Sequence, residues 1–246
     1  MNLLVLLAGS NDKYQEAGQV FPKNLVEIAE KPIIEHVVEN LRPVLKPGDR
    51  PIMVLRREEN LRYHTDLVVR LLVPDVHICE VGGKTAGAAC SALLAINEID
   101  NEDALLIANG DQIITASIAV ALADFARRDL DGGILVFEGV HPRWSFVRCN
   151  ADGLVVETAE KRPISRLATA GLYYFRHGRD FVRAAQKMVL KDAQVGGAFF
   201  VCPAYNELLL EGARIGVHLI PRHAYHSLAT PQDAQVYTEH LKARAN

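Results

Sequence analysis

Along the first half of this chain, short apolar runs alternate with segments of helical periodicity, and that alternation leaves few ways to fold. Residues 3–7, 52–55, 104–108 and 134–137 are apolar throughout. Runs of that length without polar alternation predict strands buried on both faces. Between them, Pro32 opens a segment in which Ile33, Ile34, Val37, Val38 and Leu41 share one face, and Pro43 stops it. A second helix is expected over 85–99 with Ala88, Ala92, Leu93 and Ile96 inward, and a third over 117–128 carrying Val120, Leu122 and Phe125. Strand following helix in this way calls for a mostly parallel sheet covered on both faces.

The second half changes character. Residues 145–149 and 154–158 flank Asn150-Ala151-Asp152-Gly153, a hairpin signal, and 168–175 reads as a strand returning to the main sheet. Helices are expected over 180–190, 203–211 and 231–243. With no internal repeat, low-complexity tract or linker, the chain reads as one continuous domain over 1–246, its C-terminal half supplying the second wall of a cleft.

Bulk properties narrow the function. A net charge of -3 argues against a general nucleic-acid binder. The four cysteines, Cys79, Cys90, Cys149 and Cys202, include no CxxC pair, so neither a zinc ribbon nor a disulfide framework is expected. The apolar start lacks a basic leader and is too short to span a bilayer, and no other stretch is long enough. A cytoplasmic protein without membrane insertion is the expectation.

In an open parallel sheet, ligands gather beyond the carboxyl ends of the strands. Three segments qualify. After the first strand comes Ala8-Gly9-Ser10-Asn11-Asp12-Lys13, and then Phe21-Pro22-Lys23. Small residues there let backbone N–H groups approach phosphates that Lys13 and Lys23 would neutralise; taken in isolation the residues favour a plain strand-end loop with two solvated lysines, being neither a Walker A nor a Rossmann fingerprint. After the third comes Asn109-Gly110-Asp111, where Asp111 either holds Mg²⁺ against phosphate oxygens or caps the next helix. The third, Gly82-Gly83-Lys84-Thr85-Ala86-Gly87-Ala88-Ala89, a small-residue loop opening a helix, either admits a flat base against its backbone or is a turn with close helix packing.

Taken in order, these segments resemble the sugar-phosphate nucleotidyltransferase family. Residues 17–27 (AGQVFPKNLVE) are similar to its Phe-Pro-Lys-Pro-Leu element, and Lys31-Pro32-Ile33-Ile34 to its Lys-Pro-Met-Ile helix start. Residues 86–90 resemble the loop near the base, and 107–112 the metal-binding Asp segment. Ala159-Glu160-Lys161-Arg162-Pro163 resembles the sugar-side Glu-Lys-Pro motif, and residues 168–175 (ATAGLYYF) its Gly-Leu-Tyr-Tyr-Phe strand. Phe200-Val201-Cys202-Pro203-Ala204-Tyr205-Asn206-Glu207 is similar to a stretch of the branch found in capsule and surface-polysaccharide loci.

The resemblance implies a single-domain Rossmann-like three-layer α/β sandwich with a mostly parallel mixed sheet, of the nucleotide-diphospho-sugar transferase type. About 1–130 would be its nucleotide-binding half and about 131–246 its acceptor-binding half. It implies Lys13, Lys23 and Asp111 as catalytic, Ala8, Gly9, Ser10, Gly87 and Asp111 on the nucleotide, Glu160, Lys161 and Gly171 on the acceptor, and Asp111 as ligand to Mg²⁺. Its partners would be an NTP and a phosphorylated small molecule, with no nucleic acid and with a homo-oligomer left open. The chemistry would be attack of the acceptor phosphate on the α-phosphorus with release of pyrophosphate.

The chain departs from the pattern in three places. Asn11 stands at a glycine position, where asparagine tolerates left-handed backbone. Asp12 brings negative charge near the triphosphate, and Lys13 replaces an arginine. Ser227 stands where relatives carry a second metal-binding Asp, with His226 and His223 close by. A glycosyltransferase of related fold, or a degenerate nucleotide-binding subunit, are the competing readings.

Overall fold

The computed structural model describes residues 1–245, with side chains through Arg244. In chain order its elements are β1 (Asn2–Leu6), α1 (Asp12–Glu16), β2 (Glu27–Ile28), β3 (Lys31–Pro32), α2 (Ile33–Leu41), β4 (Arg50–Arg56), α3 (Arg57–Tyr63), α4 (Thr65–Leu72), β5 (His77–Val81), α5 (Ala88–Leu93), α6 (Ile96–Ile99), β6 (Leu105–Asn109), β7 (Gln112–Ile114) and α7 (Ile118–Arg127). There follow β8 (Gly132–Glu138), β9 (Ser145–Cys149), β10 (Val155–Glu160), β11 (Leu167–Phe175), α8 (Gly178–Leu190), α9 (Val201–Leu210), β12 (Ile215–Leu219), β13 (Tyr225–Ser227) and α10 (Pro231–Ala245).

A nine-stranded sheet runs β10-β9-β11-β6-β1-β4-β5, with β8 paired to β11 and β12 paired to β8. The stretch β5-β4-β1-β6 is wholly parallel. From β1 the chain steps outward to β4 and β5, then returns to lay β6 on the other side of β1. At that reversal the loops leaving β1 and β6 diverge, and a crevice opens at the carboxyl ends of the two strands. Antiparallel pairing of β11 with β6 joins the remaining strands to this parallel core.

Side chains alternate between two cores. Leu3, Val5 and Leu7 face α2, α7 and α10 through Ile33, Val37, Phe125 and Tyr237. Leu4, Ile52 and Val54 face α5, α8 and α9 through Ala92, Phe181 and Tyr205. Helices thus cover both faces, as the buried, non-alternating strands require.

Local expectations fail in two places. The helix expected over 85–99 is two short helices, α5 and α6, because residues 85–87 are held as a loop and the Leu94 and Ala95 N–H groups bond three residues back, to Ser91 and Ala92. Ala89 and Ala92 face inward; Ala88, Leu93 and Ile96 are half-buried. In α7 it is Ile118, Ala121 and Phe125 that turn to the core, leaving Val120 57% exposed rather than inward.

Candidate active site

A cleft of about 750 Å³ opens at the carboxyl ends of β1 and β6. Ala8, Gly9 and Ser10 of the loop after β1 form one edge, and Asn109, Asp111 and Gln112 after β6 form the floor. Lys23 reaches Asp111 from behind this wall. It begins a 3-10 turn after the extended Pro22, its side chain is only 6% exposed, and its Nζ donates to Asp111 Oδ2 at 2.6 Å. Gly9 makes room for it: a Cβ there would stand 3.2 Å from Lys23 Nζ.

The loop is tied down by side chains. Asn11 Oδ1 accepts the Lys23 N–H at 2.9 Å while its Nδ2 donates to Glu59 Oε1 at 2.7 Å. Arg56, at the end of β4, donates from Nε to the Ala8 carbonyl at 3.1 Å, and Asn24 Nδ2 donates to the Leu7 carbonyl at 2.8 Å. Burial, opposed by the Asn11 hydrogen bond, by Arg56 and Lys23 and by the Asn24 side chain, pushes the Glu59 carboxyl above its ordinary value.

Across the cleft lie Arg143, Trp144, Ser145, Glu160, Lys161, Gly171 and Phe200. Glu160 is buried, receives a hydrogen bond from the Ser145 hydroxyl, and has its carboxyl raised by burial against the opposing pull of that bond and of Lys161. Lys161 has φ +53°, donates its N–H to the Trp144 carbonyl, and holds Nζ 5.0 Å from the centre of the Phe200 ring. Arg143 stacks on Trp144 at 4.8 Å and reaches Asp233 at 3.3 Å; Asp233, in the first turn of α10, also accepts from the Ser227 hydroxyl at 2.9 Å.

Two glycines set the contour. Gly171, at φ +66°, sits where the pairing of β11 with β8 shifts register, and a Cβ there would lie 2.2 Å from Gln112 Oε1 and 2.5 Å from Asn109 Nδ2. Such a bulge re-aims the strand and lets the β6 and β11 sides of the cleft close on one another. Gly87, at φ +113°, lies against Phe199, whose carbonyl would be 2.4 Å from a Cβ and instead accepts the Ala89 N–H at 3.0 Å.

The MobA-like NTP transferase domain matches residues 3–188. The chain belongs to that family. Among curated relatives, it is 26% identical over 224 residues to the low-salt glycan biosynthesis nucleotidyltransferase of Haloferax volcanii, covering 89% of this chain and 60% of that protein. It is 25% identical over 178 residues to the bifunctional protein GlmU of Methanocaldococcus jannaschii, covering 71% of this chain and 40% of the relative. This chain therefore spans only part of the length of either. A solved nucleoside-diphosphate-sugar pyrophosphorylase from Vibrio cholerae superposes with TM-score 0.86 at 25% identity, covering 97% of this chain and all of its own. A UDP-glucose pyrophosphorylase complexed with UDP-glucose shares the fold, with TM-score 0.76 at 14% identity, covering 99% and 98% of the two chains.

Within this transferase domain, Ala8, Gly9, Ser10, Lys13, Gly87, Asp111, Glu160, Lys161 and Gly171 all border one cleft, and Lys23 meets Asp111 from behind. Lys13 is the loosest of them: its side chain is 65% exposed and its Nζ pairs with Glu16 at 3.0 Å. Asn11 has φ -98°, so the left-handed backbone expected for a glycine substitute is not used. Asp12 is exposed, off the cleft wall, and donates its N–H to Ser10 Oγ. Ser227 borders the cleft, whereas His226 and His223 do not.

Arg56, Arg143, Trp144 and Asp233 border the cleft without having been singled out by motif. Arg56 follows the apolar run 52–55 directly, so the strand-end rule reaches it. Asp233 follows a helix-start signal, Thr230-Pro231, and its N–H donates to Thr230 Oγ1 at 3.1 Å. It lies beyond the span matched by the family.

Proposed function

We propose that the chain transfers a nucleotidyl group from an NTP to a sugar phosphate or similar phosphorylated small molecule, for surface-polysaccharide synthesis in the cytoplasm. One observation carries this reading: the contact of buried Lys23 with cleft-lining Asp111, at 2.6 Å, lies at the strand-order reversal, and the same cleft presents Glu160 and Lys161 opposite. A lysine and a carboxylate so placed suit a triphosphate with its divalent cation. An oxygen of the acceptor phosphate forms a bond to the α-phosphorus, the bond from that phosphorus to the β-phosphate oxygen breaks, and pyrophosphate leaves with the electron pair. Alignment and charge neutralisation supply the catalysis.

Magnesium fits the residues present. Among the described residues no cluster of three or more acidic, histidine or cysteine ligands occurs. Mg²⁺ needs none, since it is held by one or two carboxylates with waters and substrate phosphates completing the shell. Asp111 would hold it, and the ion would neutralise charge developing on the phosphates. Lys161 and Arg143 are the cations available to the acceptor phosphate.

The test is release of pyrophosphate from a panel of NTPs and sugar 1-phosphates with Mg²⁺. Turnover with one pair, lost on Asp111→Ala, supports the proposal. Nucleotide binding with no turnover across the panel favours a non-catalytic nucleotide-binding protein. Transfer of sugar from a nucleotide sugar to an acceptor favours the glycosyltransferase.

A further inference from the structure

Behind the nucleotide-side wall, Glu59 of α3 holds a nearly buried carboxyl. It is 7% exposed, and its Oε2 is buried without a hydrogen-bond partner among protein atoms. An orphaned carboxylate oxygen is costly, and an apolar side chain of similar volume would be cheaper at such a site. Its other oxygen accepts Asn11 Nδ2 at 2.7 Å and lies 3.7 Å from Arg56 Nε.

Both partners lead directly to the cleft. Asn11 spends one end of its amide on Glu59 and the other on the Lys23 N–H, so capture of Nδ2 fixes which way Oδ1 points. That bond closes an excursion of the chain containing α1 and the exposed Val20 and Phe21, and it fixes the backbone from which Lys23 reaches Asp111. Arg56 borders the cleft and holds the Ala8 carbonyl at the start of the same loop. Where a glycine-rich turn would take its shape from backbone alone, this loop takes it from an acid beneath it.

We propose that Glu59 is a positioning residue for the phosphate-binding loop, acting through Asn11 on Lys23 and through Arg56 on Ala8. The proposal rests on the nucleotidyltransferase reading of the cleft. It concerns the NTP side only, so it requires the NTP and acceptor constants to separate.

The experiment measures NTP binding by calorimetry and pyrophosphate release by steady-state kinetics on the full chain. Loss of a hydrogen bond to a charged group predicts a rise of about tenfold or more in NTP Kd and KM for Glu59→Ala, with acceptor KM within about twofold. Glu59→Gln keeps an acceptor for Asn11 and stays within about threefold of the parent chain. Asn11→Asp sets two carboxylates face to face and loses about tenfold. Combining Asn11→Asp with Glu59→Gln exchanges donor and acceptor and restores NTP KM to within about threefold of the parent chain. This near-isosteric pair carries the test if Glu59→Ala does not fold. Additive losses in the double variant, or NTP and acceptor constants rising together, overturn the inference alone. A parent chain that neither binds NTP nor releases pyrophosphate overturns the function reading, and this inference with it.

Discussion

The two walls of the cleft are built on different terms. On the β1–β6 side, charge is buried and answered: Lys23 is 6% exposed and bonded to Asp111, and Asn11 and Glu59 lock the loop above it. On the β9–β11 side the cations are long, solvated and laid on aromatic faces. Arg143 is 43% exposed over Trp144, and Lys161 lies over Phe200. Buried pairs hold a single geometry, whereas stacked surface side chains keep rotamer freedom. Under the proposed function, the first wall would take the triphosphate, which never varies, and the second the acceptor, whose shape differs between substrates.

The contrast breaks most sharply at the buried pair. Lys23→Met or Asp111→Asn should lower pyrophosphate release about a hundredfold to a thousandfold, since a preorganised charge is lost where phosphate charge develops; stopped-assay kinetics at saturating substrates check this. At the junction of the walls, Gly171→Ala forces a Cβ into Gln112 and Asn109 at left-handed backbone. Chemical denaturation should show a loss of about 2–4 kcal/mol. On the solvated wall the effects shrink: Lys161→Ala or Arg143→Ala should raise acceptor KM about tenfold and leave NTP KM unchanged. Lys13→Ala should cost threefold or less, on the order of a surface ion pair, because its Nζ is already turned to Glu16.

Acid separates the walls in another way. His226 lies in β13, the strand that lends Tyr225 and Ser227 to the solvated side. Burial first, then His240, Arg222, His223 and Arg244, push its pKa down from 6.5 to about 4. Between those values the unfolded chain binds a proton that the folded chain refuses. Stability contributed by this group is therefore full above about pH 6.5 and falls as pH drops toward 4. Melting temperature against pH should slope through that window, and the slope should flatten in His226→Gln.

The apolar strands and the cleft edge could be read from the chain because both depend on local rules. Unbroken apolar runs mark doubly buried strands, and the residues after them mark the site. Edge strand β5 escaped notice because His77 and Glu80 interrupt its apolar pattern, and β12 because Gly216 and His218 interrupt it. Val120 and Leu122, two residues apart, cannot share a helical face, and Ile118, Ala121 and Phe125 at helical spacing take the buried one. Nothing local joins residue 23 to 111, or 11 to 59. Those contacts exist only once the sheet brings β1, β4 and β6 side by side. The departure at Asn11 looked like damage to a loop; its side chain proves to be one of the loop's fasteners.

Strand β11 carries its partnership with β6 into those with β8 and β9 across a single irregularity, the bulge at Gly171. Mechanically, the sheet is one beam beneath both walls. The cleft cannot open by rotating one half against the other without tearing the β6–β11 hydrogen bonds. The Gly87 loop is pinned as well, since the Phe199 N–H donates to the Ala86 carbonyl and the Phe199 carbonyl accepts the Ala89 N–H, so the movable parts of the cleft are its exposed side chains, Arg143 among them, which change rotamer in picoseconds to nanoseconds.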